Sequence, residues 1–533
     1  MNFKDLFLYS EQNTVDFMPN PPIKDENYRP QLNEKGPCLS GNFKDDKKDF
    51  DEYLSADKSG DIKTREFTVR IKNRDVKAII YFIDGLVDKE LVNDFILNPL
   101  MIKSRTIEVE SFRAVFEMLI PQCEAKQTNV LGKLSFDLNF GSVILFIDGM
   151  REAISVDVKG WEHRGIESPQ TERVIRGPND AFSEQQRENT ALIRHLVRNK
   201  SLVCREYQIG KISQTPVSVM YIENIANSSL VEETLRRING IDVDYMFAAA
   251  ELEQLIEDKS FTSLPQFLST ERPDRASRAL LSGRIVILVD GSPFVLILPT
   301  TVFELNESAE DSYLRFPYVN MIKTVRWIAL FMSVFLPGLY VAIINFHAEL
   351  LPTSILMSIV ASREPVPFPS LVEIIIMEIS LEIIREAGVR VPEASGATLS
   401  IVGALILGQA AVSAGIVSPI LIIIVSLTAI GSFATPNYYL GLSARLLRFV
   451  YIILGAAGGF LGITAGAFLQ TLFWTDTKSM GVPMGAPIAP VTKSGVPEAL
   501  YFPPLWKREK RDDYIEPKRK YRQAHISQKW RRK

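Results

Sequence analysis

The chain has 533 residues, of which 46% are hydrophobic and 23% charged, and its net charge is -3. This length corresponds to about three or four domain-sized units. Residues 1–325 have an ordinary charged composition, whereas three later stretches, 327–346, 394–444 and 449–475, contain no Asp, Glu, Lys, Arg or His. The composition therefore excludes an entirely soluble protein, and the near-neutral charge gives no reason to expect a nucleic-acid partner.

Residues 1–61 are rich in Asp, Lys, Asn and Pro and show little hydrophobic periodicity; residues 1–60 carry 12 acids against 8 Lys and Arg. Such a segment cannot bury enough apolar surface to fold alone, so a disordered acidic arm is predicted over 1–61. Residues 1–20 contain no basic region followed by an apolar run, which predicts that no signal peptide is present. The three cysteines are widely spaced and form no disulfide framework, consistent with a cytosolic N-terminal half.

Residues 62–320 are predicted to form an α/β or α+β region of two subdomains, 62–175 and 176–320. Strand-like runs at 67–71, 202–209 and 217–225 alternate with helical patterns at 183–197, 228–238 and 244–258. No Gly-rich phosphate loop follows any strand, and the four histidines are dispersed. The chain is therefore predicted not to be an enzyme and to need no cofactor, with the subdomains serving folding and assembly.

A β-branched or aromatic run ending in Asp-Gly occurs three times, at Asp84-Gly85, Asp148-Gly149 and Asp290-Gly291. Both residue types tolerate positive φ, which suits the centre of a two-residue hairpin turn. The aspartates could instead be metal ligands, but no second carboxylate or histidine accompanies them. Hairpin corners are therefore predicted, and no metal site.

An α-helical membrane domain is predicted over 321–475, with about five or six membrane segments. Twenty apolar helical residues reach about 30 Å, the thickness of the hydrocarbon core of a bilayer. The charge-free stretch 394–444 has 51 residues, too many for one crossing. Lys323 and Arg326 precede the first segment and predict that its start is cytosolic.

The C-terminal segment 476–533 is predicted to be a cytosolic-type basic tail, because residues 507–533 carry 12 Lys and Arg against four acids. Such a tail either is solvated or binds anionic lipid headgroups. Five crossings from a cytosolic start would leave it outside, against the positive-inside bias. A sixth crossing or a re-entrant loop would resolve the conflict.

Three carboxylates interrupt the apolar helix predicted at 371–385 and just beyond it. At 100° per residue, Glu378, Glu382 and Glu386 fall within a stripe about 80° wide. Each would cost about 2.5–3.5 kcal/mol or more against lipid at the bilayer centre, so the stripe is predicted to face water, a partner subunit or the interface. Two interpretations remain open: a cation pathway lined by carboxylates, or an amphipathic helix lying in the headgroup region.

Residues 350–361 form an apolar run of only about a dozen residues, which Pro352 begins and the proline-rich segment 363–369 ends. This length fits a re-entrant or half-spanning helix better than a full crossing.

Several longer motifs occur in order in both halves of the chain. They are Glu271-Arg272-Pro273-Asp274-Arg275, Leu281-Ser282-Gly283-Arg284, Val289-Asp290-Gly291-Ser292-Pro293-Phe294, and the segments 346–352, 361–369, 385–392, 402–412 and 436–438. Together they resemble the GerA family of spore germination receptor A subunits, and the likeness covers roughly residues 65–495. The chain departs from the family at 176–182, where Arg-Gly-Pro-Asn-Asp-Ala-Phe differs at its centre from the usual Gly-Pro-Arg-Glu-Gly-Phe.

The resemblance implies a multi-pass nutrient receptor subunit in the spore inner membrane, with its N-terminal half cytosolic. Its implied partners are a transporter-like B subunit, a lipoprotein C subunit, membrane lipid and further copies of itself, as in a pentamer. The oligomer would form a cation channel opened by nutrient, with 350–361 as the half helix near the pore and Met357 or Val360 as an apolar constriction. The alternative is a non-conducting scaffold that relays nutrient binding from its partner.

Overall fold

In the computed structural model of the chain, the described residues are 37–523 except 73, 107–114, 121–124, 160–167, 391–407 and 493–500. Two antiparallel sheets are followed by a helical region, and the chain then returns to the second sheet.

The first sheet has five strands in the order β1-β2-β4-β5-β3. Every neighbouring pair is antiparallel, with Ile79 opposite Phe146 at its centre. Three π-helical turns, at Asn93–Leu97, Pro99–Lys103 and Val115–Leu119, lie between the second and third strands. The elements are α1 Phe43–Leu54, β1 Ile62–Ile71, β2 Arg74–Ile83, α2 Lys89–Val92, α3 Ser104–Thr106, β3 Ala125–Thr128, α4 Leu131–Asn139, β4 Ser142–Ile147 and β5 Ala153–Asp157.

The second sheet repeats this topology, with five antiparallel strands in the order β6-β7-β9-β10-β8. The two soluble subdomains therefore share one strand arrangement. The elements are α5 Gln186–Leu196, β6 Leu202–Ile209, β7 Thr215–Ile222, α6 Ser228–Asn239, α7 Ala249–Ile256, β8 Leu268–Thr270, α8 Pro273–Ser282, β9 Ile285–Val289, β10 Val295–Leu298 and α9 Val302–Leu305.

Apolar side chains cover both faces of each sheet, and this explains the continuous apolar runs of the central strands. In β4, Val143 and Leu145 join one core, whereas Ile144 and Phe146 join the core on the opposite face. Strand β9 divides its residues between two cores in the same alternating way.

A buried ion pair joins the two subdomains. The side chain of Arg194 on α5 is 1% exposed, that of Asp61 before β1 is 3% exposed, and Arg194 Nη2 lies 2.8 Å from Asp61 Oδ1. Arg194 also donates to Asn139 Oδ1 at 3.2 Å. Because Asp61 leads directly into the first sheet, this contact fixes the start of one subdomain on a helix of the other.

The prediction of a disordered arm over 1–61 is wrong for residues 43–54, which form α1. Asn42 caps this helix by accepting a hydrogen bond from the backbone of Lys44, and Phe50 and Leu54 are buried beside the first sheet. Apolar residues spaced four apart supply the packed face that the acidic composition conceals. Residues 1–36 lie outside the described part of the chain.

The Asp-Gly segments are turns, but none is the predicted two-residue hairpin corner. Gly85, Gly149 and Gly291 have φ values of 89°, 85° and 79°, so the positive φ is as expected. Longer loops join β4 to β5 and β9 to β10 around two of them, and Asp84-Gly85 leads from β2 toward α2 rather than into a neighbouring strand. In the two hairpins the pairing places Leu145 opposite Ile154 and Ile287 opposite Leu296, so the loop that joins the strands has more than two residues.

The helical region contains two helices long and apolar enough to cross a membrane, Phe316–Phe346 and Tyr438–Asp476, among the described residues. The prediction of five or six membrane segments therefore exceeds the two helices of sufficient length and apolar composition in the described part of the chain. The helices are α10 Phe316–Phe346, α11 Thr353–Arg363, α12 Ser370–Arg390, α13 Pro419–Phe433 and α14 Tyr438–Asp476.

Helix α14 is two antiparallel segments joined at Gly459, whose φ of 56° and ψ of -138° are not helical. A Cβ on Gly466 would approach Tyr451 at 3.2 Å, and the Tyr451 hydroxyl is hydrogen-bonded to Gln470. Residues 460–476 thus run back along 438–458. This fold-back accounts for a helix of 39 residues, far longer than one bilayer crossing requires.

The basic tail packs on the second subdomain, so the prediction of a tail that is solvated or bound to lipid is wrong for residues 505–522. Ile515 is fully buried with the core of the second sheet. Asp512 Oδ2 lies 3.1 Å from Arg284 Nη2, and Arg511 Nε donates to the carbonyl of Leu281 at 2.7 Å. Individual apolar and acidic side chains dock this segment despite its overall charge. Residues 524–533 lie outside the described part of the chain.

Candidate functional site in the helical half

Helix α12 carries the predicted acidic stripe, and it lies against α10, α13 and α14. Its apolar residues Ile374 and Met377 are buried in a core shared with α13. One apolar side of α12 therefore packs on the neighbouring helices of the same chain, and its carboxylates lie beside this packed surface.

Glu378 is buried in an ion pair with Arg448 of α14. Glu378 Oε2 lies 2.5 Å from Arg448 Nη1, and the two side chains are 1% and 4% exposed. Arg448 Nε also donates to the carbonyl of Ser333 on α10 at 2.9 Å, and its Nη2 donates to the Ser333 hydroxyl at 3.1 Å. One arginine thus connects three helices.

Glu382 lies one turn further along α12 and is more open. Its Oε1 lies 2.5 Å from Arg445 Nη1, and its Oε2 lies 3.6 Å from Arg385 Nη1. The Glu382 side chain is 43% exposed. Arg385 donates to the Ser432 hydroxyl of α13 at 2.9 Å. The Glu382–Arg445 pair is thus partly exposed, whereas the Glu378–Arg448 pair one turn earlier is buried.

A third ion pair lies at the other end of α12. Glu373, which is fully buried, accepts from Arg363 Nη2 at 3.1 Å and from the backbone amide of Ser418 at 3.2 Å. It joins the end of α11 to the start of α13. Glu373 thus lies apart from the stripe of Glu378, Glu382 and Glu386 and has a separate set of partners.

The expectation that the whole stripe faces water, a partner or the interface is wrong for Glu378, because an arginine of the same chain neutralises it inside the helical region. Glu382 and Glu386 border an open groove with Ile379, Ile383 and Phe449, and the side chain of Glu386 is exposed. The structure therefore divides the stripe into one structural carboxylate and two accessible ones.

The short helix α11 follows the predicted half helix closely, with 11 residues and a length of about 16 Å. Met357 and Val360 on it are 65% and 57% exposed, and Ile359 is buried. Exposed apolar residues on a helix this short need lipid or other protein to cover them.

The predicted acidic stripe did not include its two counter-charges, Arg445 and Arg448. They lie within α14. The signal was present: arginines three residues apart on one helix match glutamates four residues apart on another, so both pairs can form when the two helix faces meet. Lys323 and Arg326 of α10 are ion-paired with Glu307 and Asp311 of the soluble half, at 2.6 Å each.

Comparison with known proteins finds a matching family and several relatives of the chain. The family model described as "Bacillus/Clostridium GerA spore germination protein" matches residues 48–514. Spore germination protein KA of Bacillus subtilis (strain 168) is 39% identical over 488 residues, covering 92% of this chain and 88% of that protein. Spore germination protein GerLA of Bacillus cereus is 34% identical, covering 90% of this chain and 97% of that protein.

Two further similarities concern the membrane and the soluble half. A protein of Bacillus subtilis (strain 168) described as "Uncharacterized membrane protein YfkQ" is 37% identical, covering 81% of this chain and 84% of that protein. The crystal structure of the N-terminal domain of the A subunit of the Bacillus megaterium spore germinant receptor GerK3 is 28% identical, covering 50% of this chain and 97% of that one, with a TM-score of 0.39. Because the family model matches most of the chain and relatives at 34–39% identity cover about nine-tenths of it, the chain belongs to the GerA family of spore germination receptor A subunits.

Proposed function

We propose that this chain is the A subunit of a nutrient receptor in the spore inner membrane and that several copies, as in a pentamer, enclose a cation path opened by nutrient. A transporter-like B subunit and a lipoprotein C subunit are its proposed partners. The observation that carries the proposal is the state of α12: Glu378 is buried with Arg448, whereas Glu382, although paired with Arg445, is still 43% exposed and Glu386 is exposed beside it. Acyl chains cannot cover such carboxylates cheaply, whereas a water-filled interior can.

The two ends of the helical half are proposed to lie on the same side of the membrane. The start of α10, the 434–440 connection and the end of α14 all contact the soluble half, as Lys323–Glu307, Leu440 and Lys259–Asp476 indicate. His347 stacks on Phe460 at 4.6 Å at the opposite end. Helix α10 and both segments of α14 are therefore proposed to cross the membrane, which leaves the tail on the side where α10 starts.

This topology predicts the labelling of single cysteines by a membrane-impermeant thiol reagent. Glu349 and Lys510 are exposed, at the end near His347 and in the tail respectively. In a chain without its native cysteines, Glu349→Cys should react from the outer side of the membrane and Lys510→Cys only after the inner side is opened. Reaction of Lys510→Cys from outside would contradict the proposal that the tail lies on the side where α10 starts.

The cation path predicts a specific loss when the two accessible carboxylates are neutralised. Each carboxylate attracts a cation 4 Å away by about 1 kcal/mol in water and by more in a narrow protein path, so the doubly substituted Glu382→Gln/Glu386→Gln receptor should release cations about tenfold more slowly. The measurement is potassium release from spores after nutrient addition, with receptor abundance checked by immunoblot. Glu232→Gln, at an exposed position on α6, is the control and should behave as the unsubstituted chain.

Unchanged release with normal abundance would remove Glu382 and Glu386 from the path. Purified receptor in liposomes then separates a channel from a scaffold. A nutrient-dependent current supports conduction, and stable assembly without current supports the scaffold.

A further inference from the structure

A cavity of about 600 Å³ lies where the second soluble subdomain meets the connection between α13 and α14. Residues of α7 and of β8 and β10 form one wall, and residues 435–439 form the other. Its volume is in the range of small-molecule sites in proteins, which is about 300–1,000 Å³. A ligand there would contact both halves of the chain.

Among the described residues, those that line this cavity include two acids, Glu172 and Glu253, and no lysine, arginine or histidine. Glu172 is already engaged, because it pairs with Arg275 and accepts a hydrogen bond from Thr270. Glu253 has no hydrogen bond or ion pair from its side chain within the described ranges. Burial, with the nearby charge of Glu257, raises the pKa of Glu253 to about 7. At pH 7 about half of the Glu253 side chains are therefore ionised, and above pH 8 the cavity holds a carboxylate with no cation among its described lining residues.

The remaining wall suits an organic cation better than a metal ion. Phe294, Tyr438 and Tyr439 line the cavity, and aromatic faces attract cations. The Thr435 hydroxyl is buried and has no hydrogen-bond partner among the residues that the structure describes. One carboxylate and one hydroxyl are too few oxygens for Ca²⁺, which takes six to eight, whereas an ammonium group needs only a few acceptors.

We propose that this cavity binds an organic ammonium ion that carries a short apolar group. The ammonium would pair with Glu253 and donate to the Thr435 hydroxyl, while the apolar part packs against Phe294 and the two tyrosines. A free small amine and the ethanolamine headgroup of a lipid share this chemistry. The site is separate from the proposed cation path along α12 and does not depend on conduction.

Binding of benzylamine to the full chain in lipid-free detergent tests the proposal, with benzyl alcohol as the neutral ligand of similar shape. Titration calorimetry at pH 8 should give saturable binding of benzylamine and at least tenfold weaker binding of benzyl alcohol. Glu253→Gln should weaken benzylamine binding at least tenfold, and Glu232→Gln should leave it unchanged. Equal binding of both ligands, or equal binding by Glu253→Gln, would overturn the proposal.

The two sources of the ammonium group are separated in nanodiscs of phosphatidylglycerol with or without phosphatidylethanolamine. Weaker benzylamine binding in the presence of phosphatidylethanolamine assigns the site to the lipid headgroup, and unchanged binding assigns it to a free amine.

Tyr439→Phe keeps the aromatic face and should bind normally, whereas Tyr439→Leu should bind several-fold more weakly. If Tyr439→Leu binds normally in both discs, the aromatic wall is not part of a site.

The pH dependence of binding follows from the raised pKa of Glu253. The titratable groups around it are Glu257 directly after its helix and Glu172, Tyr438 and Tyr439, which line the same cavity; Glu172 is itself paired with Arg275. Without ligand, the raised pKa means that folding favours the protonated form of Glu253. The stability gained from this protonation is complete below pH 4.5 and is lost as the pH rises through about 7. Benzylamine affinity should therefore be constant above pH 8 and fall about tenfold per unit below 7; a flat profile from pH 5 to 8 would contradict the role of Glu253.

Discussion

Replacing Arg448 with methionine is expected to lower the free energy of unfolding by about 3–5 kcal/mol, because it leaves Glu378 buried without its counter-charge. The loss should be visible as a lower melting midpoint of the detergent-solubilised chain, measured by size-exclusion chromatography after heating. Arg445→Met should cost much less, since its partner Glu382 is 43% exposed and can be hydrated.

The double variant Glu378→Leu/Arg448→Met distinguishes charge burial from simple loss of packing. Removing both charges leaves no buried unpaired group, so the double variant should recover most of the stability lost by Arg448→Met. A double variant no more stable than Arg448→Met would mean that the arginine acts through its hydrogen bonds to Ser333 and not through Glu378.

Gly455→Val is expected to prevent α14 from packing on α10, whereas a substitution three residues away should be harmless. A Cβ at Gly455 would overlap the carbonyl of Gly338, and a Cβ at Gly338 would lie 2.5 Å from the carbonyl of Tyr451. The two backbones cross where only glycine fits, as small residues allow between apolar helices. Side chains forced into such a contact cost about 1–3 kcal/mol or more.

Gly458 is the matched control, since a Cβ there would meet nothing within 4 Å. Gly458→Ala should leave the melting midpoint unchanged or raise it, because alanine favours the helix by about 1 kcal/mol over glycine. Both variants are compared by the yield of monodisperse particles and by their melting midpoints. Equal behaviour of Gly455→Val and Gly458→Ala would show that the crossing tolerates a side chain.

Local conformation is what the sequence predicted best. The strand predicted at 202–209 has those bounds as β6, and the three Asp-Gly glycines have positive φ. The partners of these segments were not predictable in the same way. The loops after β4 and β9 are longer than the predicted turn because strand pairing, a long-range property, sets where each strand ends.

The acidic stripe shows the same division within the candidate site. Periodicity placed Glu378, Glu382 and Glu386 on one side of a helix, and the cost of charge in an apolar setting required that each find a polar environment. The environments of Glu382 and Glu378 depended on Arg445 and Arg448, which lie 63 and 70 residues further along the chain, respectively. Nothing in the local pattern of α12 indicates which of the carboxylates meets an arginine.

The amino-acid sequence by itself determined the division into a soluble and an apolar half, the existence of most strands and helices, and the membership of the GerA family. Hydropathy, periodicity and motif order are properties read along the chain, so they need no knowledge of what lies opposite. Only the tertiary structure decided the fold-back at Gly459, the docking of the basic tail through Ile515 and Asp512, and the burial of Glu378. These features depend on close contacts between segments that are distant in the sequence. Such contacts are made by individual groups, for example one carbonyl or one guanidinium, and the average composition of a segment does not indicate them.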